Sequence, residues 1–375
     1  MSTVSATGGV RRPVMLLLGA VALLGGLTGA LALLGLPLAP GTVRLARDHG
    51  LLMTLGFLGT LISLERAVAL GRSWGYLAPL ASGLGGLALI AGLPMAIGVV
   101  LFTIGGALFV ALYGAFDRIE VALHTRVQAL GALAWLVGAL LLVTGRPTNG
   151  VIPWLAGFLV LTIAGERLEL ARLGRLSGPK RTAFMLVAAV FCAGIAASLV
   201  VPDAGVRVAG VGLLGLAAWL VRNDLARRTV RVPGVTRFIA LCLLMGYAWL
   251  AVAGGTWLAF GATIAGGPYD ARLHALFLGF VMSMIFGHAP VILPAVLGLP
   301  LPYRPWFYGH LVLLQAGLLI RIGIGDFLGA TVAWQLGGVL NVVAVLLFLG
   351  GSVIASVVVI RHRAGLRTIR RGAAG

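Results

Sequence analysis

Apolar residues run through this chain in long blocks, and polar residues gather in short intervals between them. Twelve blocks come near the 20 or so residues an α-helix needs to cross hydrocarbon. Their approximate bounds are 14–38, 49–70, 75–93, 95–116, 121–144, 151–166, 182–201, 205–221, 237–261, 271–298, 305–324 and 331–360. Two junctions are tight: Gly92-Leu93-Pro94 between blocks 3 and 4, and Val201-Pro202-Asp203 between blocks 7 and 8. The pattern predicts an all-α, polytopic membrane protein with about 12 transmembrane helices. Residues 1–375 form a single integral membrane domain with basic tails at 1–13 and 361–375. No interval is long enough for an extramembrane domain. Block 1 follows Arg11 and Arg12 and lacks a clear small-x-small cleavage site, so it reads as a retained helix rather than a signal peptide.

Composition agrees: 60% of the residues are hydrophobic and 10% charged, with a mean hydropathy of +1.08, where a soluble domain carries about a quarter charged residues. The net charge of +18 does not indicate nucleic acid, because the 28 basic residues sit in short loops and tails where they meet anionic lipid. With the N-terminus in the cytoplasm, 22 of the 28 fall on the cytoplasmic side and six on the other. That split predicts a multi-pass protein of the cytoplasmic (inner) membrane with both termini inside. Cys192 and Cys242 each lie within an apolar block, as packing residues do.

A weak internal repeat accompanies the blocks. Gly56-Phe57 is followed by Glu65-Arg66, Gly157-Phe158 by Glu166-Arg167, and Gly279-Phe280 by His288, each at the same spacing. The copies lie in blocks 2, 6 and 10, which suggests three pseudo-repeated arcs of four helices. Glu65 and Glu166 read as interfacial anchors or as members of a proton relay. Adjacent residues on a helix point in different directions, so Glu65 is expected to find a partner other than Arg66.

The histidines carry the candidate chemistry. His49 opens block 2 and His274 lies at the start of block 10, so both sit near the outer face. Two imidazoles at one depth, on different helices, meet the geometric condition for axial ligation of one haem iron. A haem also brings two carboxylates, and Arg47, Arg272 and Arg321 are the nearby candidates to hold them. The bland alternative is that each histidine caps or bonds at its helix end. His124, His288 and His310 are candidates for a second metal or haem site in the inner half, or else three separate packing residues. No Cys-x-x-Cys-His attachment motif is present, so a haem here is non-covalent and b-type. No P-loop is present either.

HGLLMTLGF in block 2 and HALFLGFVMSMIFGHAPVILP in block 10, with twelve helices, resemble the haem-copper oxidase catalytic-subunit superfamily and, within it, the NnrS-type membrane proteins. The resemblance implies a low-spin haem between His49 and His274, with copper as a second candidate cofactor, and a setting in nitric-oxide-related response. Blocks 6 and 7 contain no histidine, so the oxygen-reducing binuclear centre of the oxidases is not expected. The sequence thus predicts a membrane-embedded b-type haem protein for electron transfer, haem handling or nitric-oxide response, with an electron-transfer or assembly protein as partner. The alternatives are a proton-coupled secondary transporter and a non-catalytic assembly subunit.

Overall fold

The computed structural model describes residues 11–39, 41–173, 177–298 and 301–372. Residues 1–10 and 373–375 of the predicted tails lie outside the described residues, as do the side chains of 359–372, His362 among them. Among the described residues there is no strand, and twelve helices are long and apolar enough to cross a membrane. They are α1 (Arg11–Leu33), α2 (Val43–Leu70), α3 (Ser73–Ile90), α4 (Met95–Ile119), α5 (Leu123–Val143), α6 (Thr148–Ala171), α7 (Gly178–Ala197), α8 (Pro202–Asn223), α9 (Val235–Phe260), α10 (Gly267–Val296), α11 (Phe307–Asp326) and α12 (Thr331–Ser356). The chain is a multi-pass membrane protein.

The two tight junctions are true turns. Gly92 takes φ +75° between α3 and α4, and a Cβ there would overlap the Arg44 guanidinium. Val201 leaves the helical region just before Pro202 opens α8. The start of α2 also moves. Hydropathy places it at 49, but the helix starts at Val43, because Asp48 is buried there and pairs with Arg47. His49 therefore sits more than a turn inside the helix.

Successive helices pack side by side around the bundle, and α12 closes the ring on α1. Within the ring, α10 also meets both α2 and α6. Thus the helices that share the repeat occupy the centre. Burial singles out α6, with 89% of its most apolar stretch buried against 28% for α7. Helices approach closely where glycine removes the side chain, the usual way for backbones to gain packing contact in lipid. At Gly29 of α1, a Cβ would collide with the Leu45 carbonyl of α2.

Three of the helices change winding in mid-course. Leu52–Gly59 in α2, Ala275–Met282 in α10 and Leu319–Asp326 in α11 are each π-helical for 8 residues. Two of these stretches begin within three residues of His49 and His274. Such turns are rare and concentrate at functional sites.

Candidate functional site

Chain connectivity places His49 and His274 toward the end of the bundle opposite the one where α1 begins. The His49 Nδ1 lies 2.8 Å from the Gly26 carbonyl of α1. The His274 Nδ1 lies 3.0 Å from the Asp270 carbonyl and 3.2 Å from Asp270 Oδ1. A ring N–H donating to a carbonyl sits on Nδ1, which leaves the lone pair on Nε2. Outer groups hold metal-ligating histidines in this way. The two imidazoles are within electrostatic reach of one another and of Asp270 and Arg321. Neither ring is fully buried, and His274 keeps 20% of its side-chain surface.

The three arginines differ in what they have left to offer. Arg321 is buried, and its fork is filled by Asp270, with Nε–Oδ2 at 2.7 Å and Nη2–Oδ1 at 2.8 Å. Asp270 therefore bridges Arg321 to His274, and the place given to a carboxylate ligand at Arg321 is already taken by a protein side chain. Arg47 is 64% exposed and pairs with Asp48 at 2.9 Å. Arg272 is 2% exposed and has no carboxylate partner among the described residues. Its Nη1 donates to the Gly261 carbonyl at 2.7 Å, its guanidinium lies against Trp257 and Tyr269, and its Nε has no hydrogen bond. A buried, unpaired guanidinium is costly, so Arg272 is the arginine that an anionic group would relieve.

The second site expected from His124, His288 and His310 does not assemble among the described residues. His124 faces Glu169, with Nε2–Oε2 at 3.7 Å. His288 uses both nitrogens: Nδ1 on the Met284 carbonyl at 2.6 Å, and Nε2 against Arg167 Nη2 at 2.8 Å. His310 is enclosed by Phe238, Phe286, Phe307 and Phe348, and neither of its ring nitrogens has a partner. The described residues hold no group of three or more His, Cys, Asp or Glu that suits a bare metal ion.

The repeat residues, by contrast, converge. Arg66 pairs with its own neighbour Glu65 and reaches Glu166 of α6 at 3.3 Å. The expectation that Glu65 avoids Arg66 fails, because the long arginine side chain folds back where the interior offers no water. Arg167 in turn binds His288 and lies 3.9 Å from Asp224. Asp224 accepts from Tyr247 at 2.8 Å and from the Ala226 amide at 2.7 Å. Glu65, Glu166 and His288 line a cavity of about 510 Å³ between α1, α2, α6, α10 and α12.

Sequence reasoning passed over Asp270, Asp224, Tyr113 and Tyr247. Asp270 carries a readable signal, since it stands four residues before His274, the spacing at which side chains meet on a helix. Asp224 and the tyrosines come from distant segments and have no local signature. The sequence profile described as "Domain of unknown function (DUF8744)" matches residues 11–357. No curated protein matches the chain.

Proposed function

We propose a b-type haem-binding role for this chain, which belongs to the DUF8744 family, a domain of unknown function. The observation that carries the reading is the pair His49 and His274. They come from two central helices, each is held through Nδ1 with no hydrogen bond on Nε2 among the described residues, and the two rings lie within electrostatic reach of one another. Two protein nitrogens suit a group that brings its own equatorial donors better than they suit a bare copper ion.

A haem supplies a one-electron couple when bound. His49 and His274 would hold it through Nε2, and Arg272 would supply a buried positive charge for a propionate. Asp270, locked by Arg321, orients His274 and raises the basicity of its Nε2. With both histidines bound to the iron, no position would remain for turnover of a gas. The role is therefore electron transfer, haem handling or sensing, in the cytoplasmic membrane with both termini inside, as the basic residues favour. The resemblance to NnrS-type proteins makes nitric-oxide response the biological setting to test first. Support for the reading also comes from the sequential ring with α2, α6 and α10 at its centre.

The test is a visible spectrum of the full chain purified after haem-replete expression. A Soret band that is lost in both His49→Ala and His274→Ala is the expected result. A protein without a Soret band, or a band unchanged in the double variant, overturns the reading.

A further inference from the structure

The cavity beside Glu65 and Glu166 is richer in acceptors than in free donors. Of its four hydroxyls, Thr60 donates to the Gly56 carbonyl, Thr162 to the Phe158 carbonyl and Ser356 to the Ser352 carbonyl, which leaves that of Ser352. The His288 Nε2 accepts from Arg167, so that ring is neutral and fully engaged. The charged groups that remain on the wall are two carboxylates, Glu65 and Glu166, sharing the single guanidinium of Arg66. Among the described residues the other charges nearby do not make up the difference. Arg167 is directed to Asp224 and His288, Glu169 pairs with His124, and Arg12 of α1 bonds Tyr76 and the Val296 carbonyl. Tyr113 of α4 is 1% exposed, lies within electrostatic reach of Glu65, Arg66 and Glu166, and its hydroxyl has no partner. Counted over the described side chains, the group is short of one positive charge, which in apolar surroundings is met by a proton or by a cation.

The rest of the wall is apolar, and it includes Leu17 and Val353, which are 63% and 55% exposed on the outer surface of the bundle. A cavity with an apolar body, an acceptor end and access from the hydrocarbon side selects its ligand by class. We propose that it binds a free lipophilic primary amine, with the ammonium head between Glu65 and Glu166 and the chain along α1, α10 and α12. An ammonium lipid headgroup does not serve, because its phosphate returns the negative charge that the ammonium removes. Binding exchanges one charge for another: the ammonium forms its ion pair as the carboxyl pair releases one proton. This inference does not depend on haem.

The experiment uses the full chain in nanodiscs of phosphatidylcholine, with radiolabelled dodecylammonium as the probe. We expect one saturable site per chain, an affinity that rises by up to tenfold per pH unit while the carboxyl pair is protonated, and loss of at least tenfold in affinity in E65Q/E166Q. Ala20→Phe, which fills the apolar part of the cavity and leaves both carboxylates in place, should also weaken binding at least tenfold. That variant and the pH slope decide the matter if E65Q/E166Q does not fold. 1-Dodecanol, and phosphatidylethanolamine added to the discs, should leave the bound probe in place. Displacement by dodecanol equal to that by unlabelled amine marks a cavity for acyl chains alone and overturns the proposal. So does displacement by phosphatidylethanolamine, a pH-independent affinity, or unchanged binding in Ala20→Phe.

Discussion

Replacing Asp270 by Asn keeps the shape of the side chain and removes its charge. The native carboxylate receives both arms of the Arg321 fork at 2.7 and 2.8 Å, and Arg321 is only 8% exposed at its side chain. Removing one partner of a buried ion pair costs about 3–5 kcal/mol, because the other charge is left stranded. Asp326 also lies within electrostatic reach of Arg321 and Asp270 keeps 18% of its side-chain surface, so a second carboxylate and water relieve part of that cost and the expectation falls to about 2 kcal/mol, a factor of roughly 30 in the unfolding constant. Adding Arg321→Met removes the stranded charge, and the double variant should recover to within about 1 kcal/mol of the native chain. The assay is unfolding in mixed micelles of rising SDS fraction, read by far-UV circular dichroism for the native chain, both single variants and the pair. A loss below about 1 kcal/mol for Asp270→Asn would place the pair with surface salt bridges and refute the argument. A double variant no better than the single one would refute it too.

Other expectations follow from single contacts. His310→Leu should leave stability unchanged or raise it by about 1 kcal/mol, since two unpartnered ring nitrogens give way to an apolar side chain among phenylalanines; a loss of that size in the same SDS titration would mean that the ring has a partner. Gly29→Ala should cost about 2 kcal/mol or more through overpacking against the Leu45 carbonyl. It should also displace α1, whose Gly26 carbonyl anchors His49, and therefore weaken any Soret band of the native chain in a spectrum taken alongside. Asp270→Asn should red- or blue-shift that band without abolishing it, because His274 keeps its bond to the Asp270 backbone carbonyl.

Much of the architecture was legible because hydrocarbon imposes one rule on every residue of a span. The twelve blocks and the two tight junctions survive in the structure for that reason. The repeat at Glu65-Arg66, Glu166-Arg167 and His288 was legible as spacing, and its residues do meet. The start of α2 was not legible, because the polar stretch Arg44–His49 owes its helical state to burial of Asp48 rather than to its own hydropathy. That His274 lies within electrostatic reach of His49 could be read from depth alone. Which arginine stays unpaired could not, since it depends on Asp270 choosing Arg321 over Arg272, a decision made by packing across α10 and α11. His310 looked like a ligand only because sequence hides the four aromatic rings that surround it.

The π-helical stretch in α10 explains how one helix can serve two neighbours. His274 and His288 are fourteen residues apart. At about 100° per residue, an unbroken α-helix would leave them some 40° apart, on nearly one face. One extra residue in the intervening turn rotates everything beyond it by roughly a further 100°. The upper histidine then looks toward α2, while the lower one meets Arg167 of α6. A single-residue deletion within 275–282 would undo that rotation and turn His288 away from Arg167, so the length of this short stretch, rather than its side chains, keeps the two ends of the bundle in phase.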